Sequence, residues 1–516
     1  MAAIVVVPTF MEVLDTTIAV VALRYIAGGL SAAVVDSEWV LTSYLAANAI
    51  VLPITGWLSA HLGRRNYFLA SIAVFTLSSF LCGLAGSLGQ LILFRVIQGL
   101  AGGGLQPSSQ AVLLDAFPRE KQGVAMTLFG FAALIAPVVG PTLGGWITDS
   151  YSWRWVFLIN VPVGLLAFIG CYVLLRDPDY LVTQRAELRK QPFHFDAIGL
   201  SLLVVVMVCW EVMLSKGQEW DWLGDPFWRV QTLAIIFSGG LVALIFWELR
   251  HRNPVVNFRV LGERNFAACC LIIFGAFLAL YAASTSLPAL LQSLFGYDAL
   301  SSGLVMSPAG IAAVLAMPIV GRLLGRGTDA RWLIAAGLLF MTAGNYWMSQ
   351  LNLDISPGQV VWPRVVLVLG LSVCFAPANV AAYLYTPLAL RGAAVGLLSL
   401  LRNEGGSVGT SLAQTFQERR DQFHTLRLGE YLDPLNAAAS SFLARAQAFF
   451  VQQTGDPAAS QQLALQQLEN LRQQQASSLA YFDVFLMMAM LTLALTPAVL
   501  LMKRSVAEKG SRVGSE

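Results

Sequence analysis

Three apolar stretches carry charge where lipid-facing chemistry would forbid it. Glu12 and Asp15 stand three residues apart in the first, Arg95 lies in the second, and Arg402 and Glu404 lie in the third. A charge at mid-bilayer costs about 2.5–3.5 kcal/mol even on lenient insertion scales, so each such residue marks a site by default. At a spacing of three, Glu12 and Asp15 share one helical face. Two carboxylates together in low dielectric resist double ionisation, which would let a proton reside there near neutral pH. The competing expectation is that either acid only hydrogen-bonds a neighbouring helix. Arg95, Gln98, Gly99, Gly102 and Gln106 also fall on one face, a polar stripe whose glycines allow close approach and which would look into a bundle. A fixed guanidinium there favours release of a carboxyl proton; otherwise Arg95 is structural and satisfied by backbone carbonyls. Arg402 and Glu404 are two apart and point to different sides of their helix. Glu404 is either an additional proton or cation site or half of an ion pair fixing a helix joint beside Gly405 and Gly406.

The elements that must position these residues follow from composition. The chain has 516 residues, 57% hydrophobic and only 12% charged, with mean hydropathy +0.66. Soluble chains carry about 25% charged residues, so this is an all-α polytopic membrane protein. A window of about 20 residues marks spans at 3–24, 38–59, 67–86, 90–112, 123–148, 154–175, 196–215, 229–249, 266–291, 299–321, 332–351, 359–387, 393–416 and 481–502. Fourteen is even, so both termini share a side. The loops on that side hold Arg64, Arg65, Arg119, Lys121, Arg185, Arg189, Lys190, Arg322 and Arg326 among others, which makes it cytoplasmic. Met1 opens almost directly into an apolar run with no basic stretch and no small-residue cleavage site, as expected of a first span. The expected organisation is a six-helix bundle over 1–175, charged segments and an inserted two-helix hairpin over 176–265, a second six-helix bundle over 266–502, and a cytoplasmic tail over 503–516. The six cysteines lie in apolar runs without metal-ligand spacing, so neither a disulfide nor a zinc site is expected. A phosphate-binding G-x-x-x-x-G-K-[ST] loop is missing, and no nucleophile, base and orienting group converge, so neither a nucleotide cofactor nor an enzyme is expected.

Residues 130–146, GFAALIAPVVGPTLGGW, combine apolarity with Pro137 and Pro141 and with small residues at Ala136, Gly140 and Gly144. Each proline removes a backbone N–H, which frees the carbonyls of Ala133 and Pro137 and bends the helix. The small residues at helical spacing let a neighbour approach closely. A faint internal repeat links GWLSAHLGRR at 56–65 with GRLLGRGTDAR at 321–331, each placing glycines and arginines in a tight turn. Repeated halves are one way in which membrane proteins build alternating access.

The segment GPTLGG at 140–145, with Gly140, Pro141, Gly144 and Gly145, resembles the fifth-span antiporter motif of the major facilitator superfamily, Ala136 standing for its first glycine. With LDTTI at 14–18, LILFRVIQGLAGG at 91–103, WRWVFLINVPVG at 153–164 and the loop of Gly56, Gly63, Arg64 and Arg65, the chain resembles the fourteen-span drug:proton antiporter family of EmrB/QacA type. That resemblance implies two six-helix bundles plus two inserted helices, alternating-access antiport driven by a proton gradient without a cofactor, and a part for Arg95 in proton coupling. It also implies a bacterial inner-membrane protein working with a periplasmic adaptor and an outer-membrane channel. One departure stands out: the family's gate loop has an acid where this chain has Ala60.

Pseudo-symmetry points to Tyr281, Gln292, Asn379 and Tyr383, with Gln98 and Gln106, as lining a substrate cavity between the halves, although aromatic packing alone would also explain the tyrosines. Aromatic and Met-rich walls suit flat lipophilic molecules. Residues 417–480 turn polar and rich in Gln and Ala, with Leu463, Leu465, Leu468 and Leu471 forming a partial apolar stripe. This outer segment is expected to be either an adaptor contact or a lid. The expected function is proton-driven efflux of lipophilic or amphipathic toxic compounds. Export of a specific metabolite such as a fatty acid or siderophore, or a non-transporting receptor or scaffold, are the alternatives.

Overall fold

A computed structural model describes residues 2–117, 122–177, 181, 196–251, 254–354, 356–387, 390–433 and 436–505. In hydrocarbon every backbone N–H and C=O must be satisfied within the chain, and the helix does so segment by segment. The helices are α1 (Ala2–Gly29), α2 (Val34–Ser37), α3 (Trp39–Leu62), α4 (Arg64–Leu84), α5 (Leu88–Gly102), α6 (Leu105–Ala116), α7 (Gln122–Ser150), α8 (Trp155–Leu158) and α9 (Asn160–Leu174). They continue as α10 (Ala197–Lys216), α11 (Arg229–Arg250), α12 (Arg264–Leu294), α13 (Ala299–Gly325), α14 (Ala330–Ser349), α15 (Pro357–Leu384), α16 (Arg391–Gly429), α17 (Ala437–Thr454) and α18 (Pro457–Leu495). Each of the predicted spans falls on helix, and among the described residues 11 segments are long and apolar enough to cross a membrane.

Helices α1 to α9 pack mainly on one another, as do α12 to α16 with α18. The two sets meet where α7 packs on α13 and α15, and where α16 packs on α3 and α6. Hairpin α10–α11 joins this seam from the side, α10 packing on both α3 and α16. At one end of the seam a Cβ on Gly56 would stand 2.7 Å from the Gly392 carbonyl carbon, so only glycine permits this approach of α3 to α16. The repeated loops turn alike: Gly63 has φ 88° and Gly327 has φ 86°, values that cost other residues strain.

Two details differ from the hydropathy reading. The fourth span is broken at Gly103–Gly104, where a Cβ on Gly103 would meet the Asn48 carbonyl oxygen at 2.6 Å. Interrupted helices of this kind carry sites in transporters. Second, α16 runs on past its apolar part to Gly429, and with α17 and the first half of α18 it forms a polar helical extension. Within it Arg420 Nε and His424 Nε2 lie 2.5 and 2.8 Å from the Asp483 carboxylate. The leucine stripe of α18 is therefore partly covered by α17, with Ala464 buried and Leu465 half exposed. A cavity of about 770 Å³ remains between them, lined by Leu432, Leu443, Leu465 and Leu468.

Candidate functional site

Two polar networks share the inner face of α1. In the first, Asp15 accepts from Arg95 Nη1 at 2.5 Å, from Gln98 Nε2 at 3.0 Å and from Asn160 Nδ2 at 2.7 Å. Asn160 also donates to Ser79 Oγ at 3.1 Å, and Arg95 Nε donates to the Val40 carbonyl at 3.1 Å. The guanidinium lies 4.1 Å from the Tyr44 ring centre and 5.5 Å from that of Phe157. Both members of the ion pair are fully buried, at 0% exposure. A buried charge is held only when paired and hydrogen-bonded, and α1, α3, α4, α5 and α9 all contribute to that here.

In the second network Glu12 accepts from Asn48 Nδ2 at 3.0 Å, from Tyr44 Oη at 3.4 Å and from Gln106 Nε2. Gln106 is also a bridge, because its carbonyl oxygen accepts from Arg402 Nη2 on α16. The Arg402 guanidinium lies 5.4 Å from the ring centre of Phe129 and 5.9 Å from that of Phe277. The chain Glu12, Gln106, Arg402 therefore crosses from the first helix set to the second. A parallel link runs from Gln110 Nε2 on α6 to Asn379 Oδ1 on α15 at 2.7 Å. Tyr383, one turn beyond Asn379, is buried, and Tyr281 is partly buried with its ring against Gly406. Gln292 stands exposed near the end of α12, apart from these networks.

Glu12 and Asp15 thus share a face, as their spacing requires, but keep separate donors. Arg402 and Glu404 diverge: Glu404 Oε2 accepts from Trp210 Nε1 on the inserted hairpin at 2.6 Å. The ion-pair reading of Glu404 gives way to a contact with α10. Tyr44, Asn48, Gln110 and Asn160 were not singled out from sequence. Asn160 lies inside the WRWVFLINVPVG motif, and Gln110 is one turn beyond Gln106, so both carried a signal.

The small-residue face of α7 packs on α1, where a Cβ on Gly144 would stand 3.2 Å from Ile18 Cγ2 and one on Gly140 would collide with Thr17. Thr17 Oγ1 donates to the Ala136 carbonyl at 3.4 Å, and Gly145 beside them is buried. Helix α7 passes through Pro137 and Pro141 as one element; the side chains of both prolines lie outside the described residues. In the loop after α3, Arg64 pairs with Asp115 at the end of α6, so an acid reaches the arginine from another helix despite Ala60. Arg65 Nη2 donates to the Tyr172 carbonyl at 2.8 Å, and its backbone N–H donates to Asp177 at 2.8 Å.

Residues 6–410 match the Major Facilitator Superfamily. The chain belongs to that superfamily. It is 39% identical to the multidrug export protein EmrB of Haemophilus influenzae, over 84% of this chain and 83% of that one. It is 36% identical to EmrB of Escherichia coli K12 with the same coverage. Identity to the fatty acid resistance protein FarB of Neisseria gonorrhoeae is 35%, over 83% of this chain and 82% of that one. A proton:xylose symporter of the superfamily superimposes with a TM-score of 0.56, covering 96% of this chain and 95% of that one at 14% identity, a likeness of fold alone. The protein is a multi-pass membrane transporter of the major facilitator fold.

Proposed function

We propose that the protein exports lipophilic or amphipathic toxic compounds by proton antiport across a bacterial inner membrane, with both termini cytoplasmic. The observation that carries this reading is the buried chain from Glu12 through Gln106 to Arg402. Among the described residues Glu12 is hydrogen-bonded only by neutral donors, so its charge is felt by Arg402 through Gln106, and each gain or loss of a proton is passed across the seam. In alternating access one half rocks against the other about a fixed site, and a link of this kind ties that motion to the charge on Glu12. Asp15 and Arg95 hold α1 against α5 and set the geometry of Glu12. A receptor or scaffold would have no use for charges this costly to bury. The test is purified protein in proteoliposomes, with an acidic lumen and a lipophilic cation, tetraphenylphosphonium, outside. Gradient-dependent accumulation with proton release is expected, and its absence overturns the reading.

A second substrate class, anionic amphiphiles such as fatty acids, is favoured by Arg364 on α15. It is 1% exposed, its Nη2 donates to Ser284 Oγ at 2.6 Å, and its Nε and Nη1 have no acceptor among the described residues. Burial alone disfavours such a charge, and a carboxylate is the anion whose shape its fork fits. Similarity to a fatty acid resistance protein agrees. In the same proteoliposomes Arg364→Gln is expected to weaken oleate export at least about tenfold, in line with the roughly 1.5–3 kcal/mol of a hydrogen bond to a charged group. Tetraphenylphosphonium export should be unchanged. Equal loss of both substrates would make Arg364 structural.

The polar extension of α16, α17 and α18 supports work with a periplasmic adaptor and an outer-membrane channel. Leu465 is one of its exposed apolar side chains and lines an open groove, a form suited to a partner helix. A photo-crosslinking residue at Leu465 is expected to capture the adaptor in whole cells, while one at buried Ala464 should not. Equal yields at both positions would remove the groove from the contact.

A further inference from the structure

The inserted hairpin brings a second acid to the seam. On α10, Glu211 is 2% exposed, and on α16, Glu404 is 6% exposed. Around them, Trp210 Nε1 donates to Glu404 Oε2 at 2.6 Å, and Ser407 Oγ donates to Glu211 Oε1 at 3.2 Å. These hydrogen bonds run crosswise, from a neighbour of each acid to the other acid, and so set the two carboxyl groups face to face between α10 and α16. Glu404 Oε1 is buried and has no N–H or O–H donor among the described residues, so the carboxyl of Glu211 is the group that stands to satisfy it. The Trp210 ring stacks on Phe237 of α11 with centroids 4.5 Å apart, which closes the site on the hairpin side.

An ionised carboxylate only accepts hydrogen bonds, so two carboxyl groups can bond to each other only if one carries a proton. Two bare anions in contact at low dielectric would repel, and the usual solution for such a pair is a single shared proton. A nearby cation would be the other solution, yet the neighbouring charges are committed elsewhere. On α16, Arg402 turns to Gln106, Arg420 and His424 turn to Asp483 of α18, and Glu418 accepts from Gln218. On α10, Lys216 is held by Glu38, at the start of α3, and by Glu219. On α11, Arg229 pairs with Asp225, Arg250 lies over Phe246, and Glu248 is buried near the Asp196 end of the hairpin. His61, at the far end of α3, bonds the Trp57 carbonyl, Asp115 on α6 pairs with Arg64, and Tyr281 of α12 packs on Gly406.

We propose that Glu211 and Glu404 form a second proton-binding site, in which one proton is shared between the inserted hairpin and α16. On release the proton passes to water and leaves two facing carboxylates. The site lies on the side of α16 away from Arg402 and is separate from Glu12. It stands whether or not protons drive transport, because its test is an equilibrium titration with no gradient and no substrate.

The full-length protein in lipid nanodiscs is titrated from neutral to alkaline pH by difference infrared spectroscopy. Wild type is expected to lose one carboxylic-acid C=O band and to release one proton per chain more than the Glu211→Gln/Glu404→Gln variant. Glu12→Gln should keep this band. Each single glutamine variant should lose it, since an amide can donate to the remaining carboxylate and no shared proton is needed. These singles keep the test usable if the double variant fails to fold. The difference in fluorescence between wild type and Trp210→Phe should follow the same pH course, because the Trp210 indole bonds the acid itself. An undiminished band in either single variant, or a Trp210 signal that does not move with the band, overturns the proposal.

Discussion

Proteoliposomes carrying Glu12→Gln are expected to bind substrate and remain folded but to lose substrate-driven proton movement by at least about a hundredfold, the scale of a removed acid or base in a positioned site. Glutamine fills the same volume and can still accept from Asn48, which holds the acid at 3.0 Å in the wild type. What it cannot do is change charge. Its amide also brings a donor up to Gln106 Nε2, which now donates to the Glu12 carboxylate. Gln106 must then turn, and turning withdraws the carbonyl oxygen that holds Arg402. The substitution therefore freezes the proton step and slackens the link across the seam. Glu12→Asp, which keeps the charge with a shorter reach, should retain part of the activity. Normal proton release by the glutamine variant would assign the exchange to another acid and leave Glu12 as a packing residue.

The charged members of this site were legible because hydropathy isolates them: Asp15, Arg95, Arg402 and Glu404 each break an apolar run. Their partners were less so. Spacing alone puts Asp15 with Glu12, whereas tertiary packing gives it Arg95 from α5 and Asn160 from α9. Neutral amides such as Asn48 and Gln110 barely disturb a hydropathy window, and which helix they meet is set by packing rather than by local pattern. Glu211 obeys the same rule as Glu404, an acid inside an apolar span, but its local pattern does not say which helix its carboxyl meets. The superfamily fold itself was visible in span number, charge bias and the short motifs. The break at Gly103 was not, since glycine leaves the run apolar while allowing the backbone of α3 to come close.

Asp15→Asn should act differently from Glu12→Gln, with a large loss of stability as well as of transport. The change keeps size but removes the one carboxylate that pairs with Arg95 among the described residues, and the Arg95 side chain is 0% exposed. The guanidinium would be left between the rings of Tyr44 and Phe157, with Nη2 already lacking an acceptor among the described residues. Breaking one side of a buried ion pair costs about 3–5 kcal/mol, whereas replacing both sides is often nearly neutral. Thermal unfolding of the detergent-solubilised protein should therefore show Asp15→Asn strongly destabilised and the Asp15→Asn/Arg95→Gln double variant recovering most of the loss. Both should be inactive in exchange, because Glu12 depends on this pair for its position on α1. If the double variant is instead as unstable as the sum of the singles, the worth of Asp15 lies in its bonds to Gln98 and Asn160, and Arg95 is held by Tyr44 and the Val40 carbonyl without it.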